Sequence, residues 1–126
     1  MTPQEMFDTA YLKIIQQGQK SMGSNDTCKY RGPRGLKCAI GHMIPDDLAK
    51  AWDNRRNSMI SKIRSTPKYP IPDFIRNNRT LAADIQRAHD YGGDYTPSDF
   101  VEGFIDRMAK VAKDYNLTIP NMETTK

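Results

Sequence analysis

The chain has 126 residues, 37% of them apolar and 27% charged, with a formal net charge of +4. That length supports one hydrophobic core and is too short for two, and the composition is that of a folded domain, not of a disordered chain. There is no run of eighteen apolar residues, and the start MTPQEMFDTAYLKIIQQ lacks a basic leader and an apolar block, so the reading is a cytosolic protein without membrane attachment whose two cysteines stay reduced.

Thr2-Pro3-Gln4-Glu5 has capping-box spacing with proline at the first helical position. Phe7, Tyr11, Ile14, Ile15 and Met22 recur at helical spacing, which predicts a helix over residues 3–21 ended by the loop at 23–26. Cys28-Lys29-Tyr30-Arg31 and Leu36-Lys37-Cys38 flank Gly32-Pro33-Arg34-Gly35; proline and glycine there predict a reversal, read as a two-stranded β-hairpin with Arg34 at its tip and the two cysteines close together. The run 39–44 fits either a strand or a short helical turn.

Pro45-Asp46-Asp47 reads as a helix start, proline and carboxylates complementing the exposed amides. Leu48, Trp52, Met59, Ile60 and Ile63 would share a face of a helix or helix pair reaching residue 64, with 54–58 as a possible break. Three prolines in residues 66–72 require an extended connector. One helical turn is expected at 73–75, a helix at 79–90 stopped at Tyr91-Gly92-Gly93, and a last helix capped by Thr96 and stopped at Asn116. The fold expected is therefore mainly α (α+β), a single domain over 1–119 of four to five helices with a small hairpin between the first two. The first and last helices pack together, and residues 120–126 form a flexible tail.

Charge is unevenly distributed. Residues 29–79 carry twelve Lys or Arg against four Asp, whereas residues 80–126 carry eight acids against five bases. A polarised surface with one face suited to an anionic partner follows. Lys29, Tyr30, Arg31, Arg34, Lys37, Arg55 and Arg56 are its candidate binding residues, the cations for phosphates or an acidic protein face and the tyrosine ring for base stacking. No Gly-Lys-Ser/Thr follows the glycines and no Gly-x-Gly-x-x-Gly occurs, so they are not a nucleotide loop; a solvated basic face is the plainer alternative. The acids Asp46, Asp47, Asp94 and Asp99 sit where helices start and are explained by capping.

Two further constellations use the only thiols and imidazoles. Cys28, Cys38, His42 and His89 could make a closed zinc site, although no Cys-x-x-Cys knuckle is present. Alternatively Cys28 or Cys38 could serve as a nucleophile with His89 as base and Asp90 as orienting group. Buried, inert thiols and a histidine packed at the end of its helix are the bland readings of the same residues.

Cys28-Lys29-Tyr30-Arg31-Gly32 followed by Gly35-x-Lys37-Cys38-Ala39-Ile40-Gly41-x-x-Ile44-Pro45-Asp46 resembles a motif of a family of small bacteriophage and prophage proteins, and Ile85-Gln86-x-x-His89-Asp90 is similar to its second motif. The resemblance implies a viral accessory protein that binds a host component in the bacterial cytosol, blocking a defence or redirecting a host machine. It carries over no catalytic residue. Together these readings favour non-catalytic binding of nucleic acid, a nucleotide or an acidic protein face without a cofactor; the alternative is a small cysteine- or zinc-dependent enzyme.

Overall fold

A computed structural model describes residues 1–22, 28–55, 59–92 and 97–121. Five α-helices follow one another among them: α1 (Pro3–Gln17), α2 (Asp46–Asp53), α3 (Asp73–Arg76), α4 (Arg79–Asp90) and α5 (Pro97–Tyr115), with 3-10 turns at Pro33–Gly35 and Ile40–Met43. The mainly α class expected from periodicity is the class observed. No helix among the described residues is long and apolar enough to cross a membrane.

The capping box at the start of α1 forms as its spacing predicts: the Glu5 amide donates to Thr2 Oγ1 at 3.1 Å and the Thr2 amide to Glu5 Oε1 at 2.8 Å. The helix is shorter than the expected 3–21. It stops at Gly18, whose φ of 75° is left-handed and whose amide returns to the Ile14 carbonyl. Met6, Phe7, Ala10, Tyr11 and Ile14 form its buried stripe. The expected loop at 23–26, the cap Thr96, the stop residue Gly93, Asp94, and residues 56–58 of the expected break at 54–58, Arg56 among them, all lie outside the described residues, as do 122–126 of the expected tail.

α4 and α5 pack against each other most extensively, and both meet α1. Phe100 stacks on Phe104 at 6.1 Å between ring centres, and Phe104 meets Tyr11 of α1 at 6.5 Å, so the expected pairing of first and last helices is present. α5 ends as its sequence suggests: Asn116 takes φ 56° and the Leu117 amide folds back to the Ala112 carbonyl at 2.8 Å.

Two expectations need correction. No helix reaches residue 64: α2 ends at Asp53, where the expected break begins, but in place of a second helix the segment around residues 59–63 turns back with the Ile63 amide on the Met59 carbonyl. Ile60 and Ile63 still enter the core. The carbonyls that a helix would have satisfied are taken by arginines instead. Arg79 donates to those of Ile60 and Ile63, at 3.2 and 2.6 Å, and Arg55 donates to that of Arg64 at 2.7 Å. The two-stranded hairpin is likewise reduced. Arg31 and Lys37 form one isolated antiparallel bridge, Met22 and Cys28 another, and no strand forms among the described residues. Pairing goes no further because side chains take the backbone groups it would need: Asp53 accepts the amides of Tyr30 and Arg31, and Gln17 bonds both the amide and the carbonyl of Lys37.

Candidate functional site: a clasped loop and a basic groove

Residues 28–45 contain no α-helix and no strand, so their backbone groups need other partners. Side chains from the helices supply them. Asp53, at the end of α2, accepts the amides of Tyr30 and Arg31 on its two oxygens at 2.9 and 3.0 Å. The Arg31 guanidinium turns inward and donates to the carbonyls of Tyr30, Gly41 and Ile44, at 3.1, 2.6 and 2.9 Å, and to Asp46 Oδ1 at 2.9 Å. Gly41 makes this approach possible, because a Cβ there would lie 2.5 Å from the Tyr30 carbonyl oxygen.

The second fastening comes from α4. The amide of Ser21 donates to His89 Nε2 at 3.1 Å, which places the ring proton on Nδ1; Nδ1–H then donates to Asp90 Oδ1 at 2.9 Å. Asp90 Oδ1 also accepts from Gln86 Nε2 at 2.8 Å, and Gln86 Oε1 accepts the Ile40 amide at 3.1 Å. Gln86, His89 and Asp90 therefore hold the loop at both ends, residue 21 and residue 40. His89 is fully buried and meets Phe100 edge-on at 5.5 Å, and Lys20 closes the end of α4 by donating to the Asp90 carbonyl at 2.8 Å.

This arrangement decides what the thiol and imidazole residues are able to do. Cys28, His89 and Asp90 bring ligand atoms within 4.8 Å of one another, so the fold assembles part of the expected cysteine constellation. Cys28, Cys38, Tyr30 and Gln86 line one small cavity of about 70 Å³. Yet His89 carries a proton on Nδ1 while its Nε2 accepts a backbone amide, which leaves no lone pair for a metal or for a thiol proton. Cys38 is buried, its Sγ accepts the Gly41 amide at 3.3 Å, and burial holds its pKa far above the ordinary thiol range. His42 stands apart from this cluster. The four residues expected to hold zinc do not form one ligand group among the described residues.

His42 belongs to an open groove of about 440 Å³ between α1 and the turn, lined by Lys13, Gln16, Gln17, Gly35, Lys37 and His42. Gln17 organises it. Its Oε1 accepts the Lys37 amide at 3.0 Å and its Nε2 donates to the Lys37 carbonyl at 2.8 Å, as a strand partner would. Because that oxygen is an acceptor, the His42 Nε2 facing it at 3.1 Å must be the donor, and His42 Nδ1 keeps a lone pair with no partner among the described residues. Burial, then Lys37, Lys13 and Arg31, lower the His42 pKa to about 4, so the imidazole is neutral near pH 7. Among the described residues, neither the Lys13 nor the Lys37 ammonium makes an ion pair and no carboxylate lines the groove.

The expected binding residues thus separate by role. Lys37 lines the groove and the exposed Arg34 adjoins it at Gly35. Lys29 and Tyr30 border the cysteine cavity, Tyr30 buried against Trp52; Arg31 and Arg55 are engaged with carbonyls. Lys13 and Gln17 escaped the sequence reading because they precede the basic segment and sit on a helix whose apolar stripe drew the attention. No protein-family model matches the chain, and no curated protein or solved structure is significantly similar to it.

Proposed function

We propose that this protein is a non-catalytic binding module of the phage accessory type, acting in the bacterial cytosol, which takes an anionic group of a host component in the groove beside its clasped loop. The observation that carries the reading is the pair of lysines, Lys13 from α1 and Lys37 from the turn, lining one concave surface with no acid among the described residues that line it. Two like charges line it without a carboxylate among the described residues there, and an external anion supplies a partner for them. Arg34 extends the positive field outward. Nucleic acid is the ligand preferred over an acidic protein face, because a groove between a helix and a loop suits a narrow phosphate chain better than a flat surface.

Fluorescence anisotropy with labelled single-stranded oligonucleotides tests this between low and moderate salt. The logarithm of the association constant falls linearly with the logarithm of salt, and Lys13→Gln and Lys37→Gln each weaken binding and reduce the slope by about 0.7. Binding that ignores salt, or variants that bind like the parent, would refute the reading.

A further inference from the structure

We propose that the groove selects ribonucleic over deoxyribonucleic acid, with Lys13 and Lys37 pairing to phosphates and His42 Nδ1 accepting the hydrogen bond of a ribose 2′-hydroxyl. The inference rests on the binding reading above and names the ligand class for that same groove. Three observations meet here. Lys13 lies on α1 and Lys37 on the irregular segment after the turn, so the groove is lined by a cation from each side. Gln17 fixes the His42 tautomer: its Oε1 already accepts the Lys37 amide, so His42 donates through Nε2 and presents Nδ1 as an acceptor. Lys13 and Lys37 line the groove as donors for phosphate oxygens, and the half-buried His42 lines it with them, its Nδ1 without a protein donor among the described residues.

A ligand that satisfies the whole set must carry negative oxygens and a neutral hydroxyl donor within one repeating unit. Ribose phosphate does so: each 2′-hydroxyl is flanked by backbone phosphates, and it is the group by which a protein distinguishes RNA from DNA at a given site. DNA offers the phosphates and leaves Nδ1 unmatched. The neutral state of the imidazole, held by burial and by the surrounding cations, keeps the acceptor available near pH 7. A volume of about 440 Å³ falls in the range of about 300–1,000 Å³ for sites that enclose small ligands, enough for one nucleotide unit at a time.

The test compares three oligomers of one sequence, RNA, DNA and 2′-O-methyl RNA, binding to the full chain at low salt. RNA binds about 3- to 10-fold more tightly than either of the others, the effect of one neutral hydrogen bond. In His42→Phe the RNA-to-DNA ratio falls toward one, with folding checked by circular dichroism. The 2′-O-methyl comparison needs no variant, so it stands if that substitution fails to fold. Uridine 5′-monophosphate competes weakly, since it lacks the neighbouring phosphates; competition equal to that of the oligomer would overturn the chain as the source of the ligand. Equal affinity for all three oligomers would overturn the hydroxyl contact and leave the anion groove standing, as would an RNA preference that persists in folded His42→Phe. No binding of any oligomer would instead remove the binding reading itself.

Discussion

Arg31 and Arg34 are three positions apart and have opposite uses. The Arg31 side chain donates to three carbonyls and pairs with Asp46, whereas Arg34 sits exposed at the tip with φ 58°. Arg31→Ala should therefore lower stability by about 2–4 kcal/mol, since it strips buried carbonyls of charged donors, while Arg34→Ala should change it by less than about 0.5 kcal/mol. Urea denaturation of both variants checks this, and equal midpoints would contradict it. The same contrast governs how lost binding is read: loss in Arg31→Ala reports unfolding, and loss in Arg34→Ala reports the surface. His42 gives a second residue-level prediction. Its folded pKa of about 4 lies below the ordinary histidine value of 6.5, so between those values the unfolded chain binds a proton that the native state refuses. The contribution of neutral His42 is complete above pH 6.5, declines as pH falls toward about 4, and levels off below. Urea midpoints across that range should fall less steeply for His42→Gln than for the parent, and parallel curves would exclude the assignment.

At the scale of elements, α4 contributes more by side-chain hydrogen bonding to the irregular loop than to any neighbouring helix, because Gln86, His89 and Asp90 receive or relay bonds from residues 21 and 40. His89→Ala should cost about 2–4 kcal/mol, combining a buried cavity with an orphaned Ser21 amide. Gly41→Ala should cost about 1–3 kcal/mol by driving a methyl into the Tyr30 carbonyl. Thermal denaturation reads both, and values near zero would mean that the loop is not seated as described. Much of the helix plan was legible because caps and apolar periodicity are local: Thr2 and Glu5, Pro97, and Asn116 with Leu117 are recognisable within a few residues. The hairpin and the second half of the second helix were misread for the opposite reason. Whether residues 28–31 pair as a strand depends on Asp53, and whether residues 59–63 continue a helix depends on Arg79, and neither partner is visible in a local window. The groove was half legible. Lys37 and Gly35 lay in the basic segment, but nothing in the sequence sets Lys13 and Gln17 opposite them.

For the whole molecule, the two motifs singled out in the sequence, around residues 28–46 and 85–90, meet in space as loop and clasp. Their shared chemistry is explained by folding: Cys38 packs under the Gly41 amide, Arg31 and Asp53 satisfy backbone, and His89 anchors residue 21. Fastening so much irregular backbone holds Lys37 and His42 in place opposite α1, so that a ligand of the proposed kind would meet a preformed site and would not have to order the loop on binding. The most direct test of this rigidity is native-state hydrogen exchange at the amides of Ser21, Tyr30, Arg31 and Ile40. All four lie outside α-helices and strands and are held by the side chains of His89, Asp53 and Gln86. They should exchange as slowly as the interior of α4, with protection at Tyr30 and Arg31 lost in Asp53→Ala; exchange at the rate of an open loop in the parent protein would contradict the account.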